Sequence, residues 1–109
     1  MTTIEQSNVS DNEWLRNHEL HRFVRIGDNF YYSDDIQKFH STIARENGVT
    51  KTDVNGRPIV DDAGTIEIFK GKLDFTKFST SCACSEREDL ARKKTKEIAR
   101  NKFGNDNIA

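Results

Sequence analysis

Two short motifs in this 109-residue chain are of types that hold soft metal ions or do thiol chemistry: the C-x-C pair Cys82/Cys84 and the H-x-x-H pair His18/His21. Together they would make a tetrahedral zinc set, and a small domain gains folding free energy from such a site. Two features weigh against it. C-x-C is tighter than the roughly two- to four-residue gap of structural zinc motifs, and no pattern draws positions 18 and 82 together. The plain alternative is a pair of small, part-buried thiols. A third is a reactive cysteine, because a helix predicted to begin at Ser85 would set its positive end beside Cys84 and lower that pKa. The two cysteines sit too close to bridge without strain, so reduced thiols and a cytoplasmic setting are expected.

The second group is basic. On the helix predicted over Ser85–Phe103, Arg92, Lys93, Lys96 and Arg100 gather on the solvent side, a ridge that could straddle phosphates or meet an acidic protein. The ordinary alternative is a solvated face laced by Asp89–Lys93 and by Glu97 near Lys93 and Arg100. The formal net charge of -1 predicts no strong steering of nucleic acid or anionic membrane. Charge is nevertheless uneven: residues 1–64 carry 7 basic against 11 acidic groups, and residues 85–103 carry 7 against 4.

The third group is a possible interface. HRFVRI-GDN-FYY reads as strand, glycine turn, strand, with Arg22 and Arg25 on opposite faces of the first. Phe30, Tyr31 and Tyr32 cannot all point one way, so either one tyrosine is exposed or a second layer covers it. An exposed tyrosine beside Arg25 would suit a protein interface or nucleotide-base stacking. Enzyme signatures are missing: there is no phosphate-binding glycine loop, no G-x-S-x-G elbow and no H-E-x-x-H. The adjacent pair Asp61–Asp62 lacks calcium-loop spacing and reads as solvated loop carboxylates; Asp34–Asp35 reads as the acidic start of a helix, and neither pair offers the opposed geometry that acid–base work needs. No catalytic residue and no cofactor is expected.

The elements that must position these groups are legible. TIEIF and KLDFT, Thr65–Phe78 with Lys70–Gly71 between, alternate apolar and polar residues and predict a hairpin half buried on one face. A helix is predicted from Ser10, with the motif Ser10/Glu13 as capping box and Trp14, Leu15 and His18 on one face. A second is predicted over Asp34–Asn47, capped by Ser33, with the stripe Ile36, Phe39, His40, Ile43 and His40 at the core margin. Asn55–Gly56 marks a turn, Pro58 favours an edge, and Ser85 with Glu88 would cap the terminal helix, whose thin apolar face is Leu90, Ala91, Thr95 and Ile98. Phe78, Thr80, Cys82 and Cys84 share a parity that fits a third strand or a loop. No run approaches the ~20 apolar residues of a membrane span, and the N-terminus lacks the basic and apolar segments of a secretory signal.

The expectation is one α+β domain over residues 10–104 between loose tails 1–9 and 105–109. It has a small, mostly antiparallel sheet of three to five short strands, with two or three helices packed mainly on one face. Its expected role is a non-catalytic, intracellular protein-binding or regulatory module, acting on another protein or as a homodimer; the alternative is a nucleic-acid-binding module using the terminal helix.

Overall fold

The computed structural model describes residues 4–6, 20–33, 35 and 37–109. The helix predicted from Ser10 and the candidate ligand His18 lie outside the described residues. In chain order the elements are β1 (Ile4–Gln6), β2 (Leu20–Ile26), β3 (Asn29–Ser33), α1 (His40–Glu46), β4 (Ile59–Val60), β5 (Asp62–Phe69), β6 (Lys72–Phe78), β7 (Ala83–Cys84) and α2 (Glu88–Phe103), ending in a 3-10 turn at Asn105–Asn107. Five strands form an antiparallel sheet of order β1-β3-β2-β5-β6, and β4 pairs in parallel with β7 beside it. This is the small α+β architecture the alternating patterns predict.

The Thr65–Phe78 hairpin forms in the expected register, Ile66 opposite Phe75 and Ile68 opposite Leu73. Its two-residue loop has φ of 51° at Lys70 and 77° at Gly71, the doubly positive pair whose twist matches flanking strands. Strands β2 and β3 form the second hairpin, with Phe23 opposite Tyr32 and Val24 opposite Tyr31.

The sheet is covered on both faces. Phe23, Phe30, Tyr32, Ile66, Leu73 and Phe75 pack under Ala99 and Phe103 of α2, with Phe23 edge-on to Phe75 at 5.1 Å. Val24, Tyr31 and Ala63 pack on the other side with Ile43 and Ala44 of α1, Val60 and Cys82. The two helices therefore flank the sheet, one on each face. Alternate residues of FYY feed alternate cores, which is why both tyrosines are buried.

Helix boundaries differ from the predicted ones for local reasons. Ser33 stays in β3 opposite Arg22, and its Oγ accepts the Asp35 N–H; Asp35 Oδ1 in turn accepts the Gln37 N–H. These short side-chain turns compete with helix, so α1 begins only at His40 and Phe39 is left 61% exposed. Ser85 likewise gives its hydroxyl to Asp61 (2.8 Å) and caps nothing, and α2 begins at Glu88. Leu90, expected on the apolar face, points outward, while Ala91, Arg92, Thr95, Ala99 and Phe103 point in.

After Phe78 the chain leaves the main sheet as a loop, and only Ala83–Cys84 regains strand structure, against β4. Residues 105–109, expected to be loose, are docked: Ile108 is buried beside Leu73, and the Ala109 N–H reaches the Leu73 carbonyl at 2.8 Å. Ile4–Gln6, within the segment expected to fray, pairs with β3. Among the described residues no helix is long and apolar enough to cross a membrane.

Candidate functional site

Among the described residues the metal set does not assemble. His21 shares the parity of Phe23 and sits opposite Ile66, so it lies on the α2 face, whereas Cys82 is packed with Val24 and Ile43 on the α1 face. The sheet itself stands between them. Among the described residues no cluster of three histidine, cysteine or acidic side chains is disposed around a common point.

The thiols are set against reactivity. Burial pushes Cys82 up, against smaller opposing hydrogen bonds from Ser79 and Ser81. Burial, reinforced by Asp62 and Glu88, pushes Cys84 up to about 11. The helix end expected beside Cys84 begins three residues further on, with a carboxylate as its first residue, so the predicted lowering is reversed. A rise from 9.0 to about 11 cuts the thiolate fraction at neutral pH roughly a hundredfold. Alkylation of Cys84 by iodoacetamide at pH 8, followed by mass spectrometry, should run at least about tenfold slower than that of free cysteine. A rate equal to free cysteine would show this environment to be misread.

The basic ridge loses its first member. Arg92 is buried, its Nε on Asp62 Oδ2 at 2.9 Å, its Nη1 on the Phe75 carbonyl at 2.9 Å and its Nη2 on the Lys77 carbonyl at 2.6 Å. Its guanidinium lies 4.1 Å from the Phe78 ring centroid. Arg25, read as a possible interface residue beside exposed tyrosines, is buried too. It donates Nε to Thr95 Oγ1 (2.8 Å) and Nη1 to the Gly27 carbonyl (2.7 Å). Thr95 passes its own proton to Asp62 Oδ2 at 2.6 Å, and Asp62 Oδ1 also accepts the Ala63 N–H.

One fully buried carboxylate thus neutralises one arginine directly and is joined to a second through a threonine. Asp62, read from sequence as a solvated loop carboxylate, is the centre of the polar core. The signal was its parity: stepping back from Ile68 and Ile66 by twos reaches Gly64 and Asp62 on the same face. What remains of the ridge is Lys93, Lys96 and Arg100, spaced three and four apart, with no carboxylate partner among the described residues.

A different site comes together on the α1 face. Arg22 of β2 and Thr65 of β5, direct neighbours across the strands, form the floor of a cleft of ≈ 250 Å3. Phe39 and His40, where α1 begins, make one wall; Phe78 and the loop Ser79–Ser81 make the other. Arg22 gives Nη1 to the Lys38 carbonyl at 3.1 Å and lies 5.9 Å from the Phe39 ring centroid. It meets no carboxylate among the described residues.

His40 donates Nε2–H to the Gly64 carbonyl at 2.6 Å, since a carbonyl can only accept, and Nδ1 is its remaining polar atom. Burial lowers its pKa, opposed by the Gly64 hydrogen bond and aided by Arg22, so the ring is neutral at physiological pH. The loop is stapled by its own hydroxyls. Ser79 Oγ accepts the N–H groups of Ser81 and Cys82, and Ser81 Oγ accepts that of Ser41.

This cleft was not foreseen. Arg22 was read as lying on the face opposite Arg25 and as a possible extension of a nucleic-acid surface, and the loop FSTSCACS drew attention to its thiols. The hydroxyl run Ser79–Thr80–Ser81 was the available signal. No protein-family model, curated protein or solved structure matches this chain significantly, so its function is read from the chemistry of the site itself.

Proposed function

We propose that this chain is a non-catalytic binding module that holds an acidic segment of a partner protein in the cleft between α1 and the Ser79–Ser81 loop. The observation that carries the reading is Arg22, a cation at the cleft floor with no carboxylate partner among the described residues. A part-buried cation without a counter-ion is costly, and a partner's anion would relieve that cost. Phe39, 61% exposed, and Phe78, 36% exposed, edge the same cleft, and aromatic side chains flanking an arginine are the usual anchors of protein interfaces.

The chemistry supports binding over catalysis. The imidazole in the cleft is tied to a backbone carbonyl and no serine of the loop is hydrogen-bonded to it, so no activated nucleophile is formed. Side-chain docking is also favoured over strand addition at β6. The outward carbonyls of Leu73, Phe75 and Lys77 already accept from Ala109 and Arg92, which closes that edge. Raised, unreactive thiols accord with an intracellular setting.

A second reading is favoured by the stripe Lys93, Lys96 and Arg100 on α2, which could track phosphates of a nucleic acid. A backbone-amide NMR titration separates the two. Acidic peptides at low salt should shift residues of the cleft, around Arg22, Thr65 and Ser79–Ser81. Duplex RNA shifting Lys93, Lys96 and Arg100, with affinity falling steeply as salt rises, would favour the second reading. If no peptide perturbs the cleft, the first reading fails.

A further inference from the structure

We infer that the cleft receives a single phosphomonoester, the side chain of a phosphoserine or phosphothreonine on the partner polypeptide; this rests on the protein-binding reading and narrows it. The donor set is larger than a carboxylate needs. Arg22 alone, with four of its five N–H groups not given to the Lys38 carbonyl, would saturate a carboxylate in a bidentate pair. The hydroxyls around it would then have nothing to bind.

Ser79 Oγ already accepts two backbone N–H groups and has only its O–H proton left to offer, while Ser81 Oγ accepts one and keeps both its proton and a lone pair. At 3.2 Å from one another, Ser79 can give its proton to the remaining lone pair of Ser81, whose own proton can turn to the Cys82 thiol or to a ligand. Thr80 and Thr65 add two more hydroxyls to the lining. A guanidinium with several O–H donors suits three terminal phosphate oxygens carrying about -1.5 to -2 charge.

Among the described residues none that lines the cleft is acidic, which suits a dianion. Among the described residues of β5 and β6 on that sheet face, the acidic Glu67 and Asp74 stand opposite one another, two positions along the strands from Thr65 and Thr76. The single cation argues for one terminal phosphate, because a nucleic-acid backbone presents a ladder of phosphates and needs a series of cations. Such a series lies across the sheet on α2. The ≈ 250 Å3 volume leaves room beside the phosphate for the side-chain stem, and Phe39 and Phe78 at its edges can pack on flanking residues of the partner.

The test uses the full chain and three degenerate nonapeptide pools that differ at one central position: phosphoserine, serine or glutamate. Fluorescence anisotropy at near-physiological salt should give the phosphoserine pool at least about tenfold higher affinity than the glutamate pool, a difference of about 1.4 kcal/mol. Arg22→Gln should remove at least tenfold of that affinity. Thr80→Glu, a change at an exposed position that puts a carboxylate into the cleft, should abolish binding even if Arg22→Gln folds poorly. Equal affinity for phosphoserine and glutamate pools would overturn the phosphate assignment and leave the acidic-partner reading standing. Phosphoserine binding that survives Thr80→Glu, or that shifts α2 in place of the cleft, would also overturn it. If none of the pools binds, both readings fall.

Discussion

Asp62→Ala should cost about 3–5 kcal/mol of folding stability, as much as truncating a large core side chain. Asp62 is fully buried, and its carboxylate accepts from Arg92, Thr95 and the Ala63 N–H. Truncation leaves the Arg92 guanidinium in the interior without its counter-ion and removes the acceptor that orients Thr95 toward Arg25. Against a total of about 5–15 kcal/mol for a domain of this kind, that is a large fraction. The melting temperature should fall by on the order of 20 °C, read by circular dichroism. A loss below about 1 kcal/mol would mean that the cluster is not the polar core described here.

Two further variants divide the effect into charge and hydrogen bonding. Asp62→Asn keeps an acceptor for Thr95 and removes the charge, so it should fall between the parent and Asp62→Ala. The pair Asp62→Leu with Arg92→Met removes both ions, and a buried ion pair replaced by apolar groups is often tolerated. Its cost should therefore be smaller than the sum of the single changes, a coupling expected for groups in direct contact. It should not return to the parent value, because Arg92 also serves the carbonyls of Phe75 and Lys77 on the edge strand. Those acceptors would have to find water, and β6 would regain an open edge.

How much of this was legible depended on whether the pattern was local. The β5–β6 hairpin was, because Ile66, Ile68, Leu73 and Phe75 alternate at period two around a Lys-Gly turn. The terminal helix was, because its length is long and its end is marked by Gly104. What pattern could not supply was which face of an element has a second layer over it. Tyr31 looked like an interface residue only if the α1 side were open; with α1 and β4 over it, the same alternation buries both tyrosines. Arg92 fell on the solvent side of an idealised wheel because Leu90 was assigned to the core in its place. A basic side chain scores as surface unless its acceptors are known, and these lie at Asp62 and on β6, far away in sequence. The cleft was invisible for a related reason: Arg22, His40, Thr65 and Ser79–Ser81 come from four separate parts of the chain, and no spacing rule joins them.

Gly64→Ala should be comparably damaging, although it adds a single methyl group. A Cβ built at Gly64 would meet the Lys77 carbonyl oxygen, Arg92 Nη2 at 2.8 Å and the Thr76 carbonyl at 3.1 Å. Two of these three are backbone atoms, which cannot swing aside as a flexible side chain does. They are there because β6 carries a bulge: the pairing shifts between Gly64 and Thr65, and Lys77 takes φ of 53°. That kink turns the Lys77 carbonyl to Arg92, and Gly64 is the position over which the two approach. The same residue offers its own carbonyl to His40 in the cleft. Alanine would thus have to push β6 outward, strain the Arg92–Lys77 contact, and disturb the wall of the binding site in one step. The expected loss is about 2–4 kcal/mol, in the range of overpacking combined with a damaged buried hydrogen bond. Urea unfolding measures the loss, and the NMR position of the His40 ring reports the change at the cleft. Stability within about 0.5 kcal/mol of the parent, with an unmoved His40 signal, would show that the bulge yields freely and that Gly64 does not link the polar core to the site.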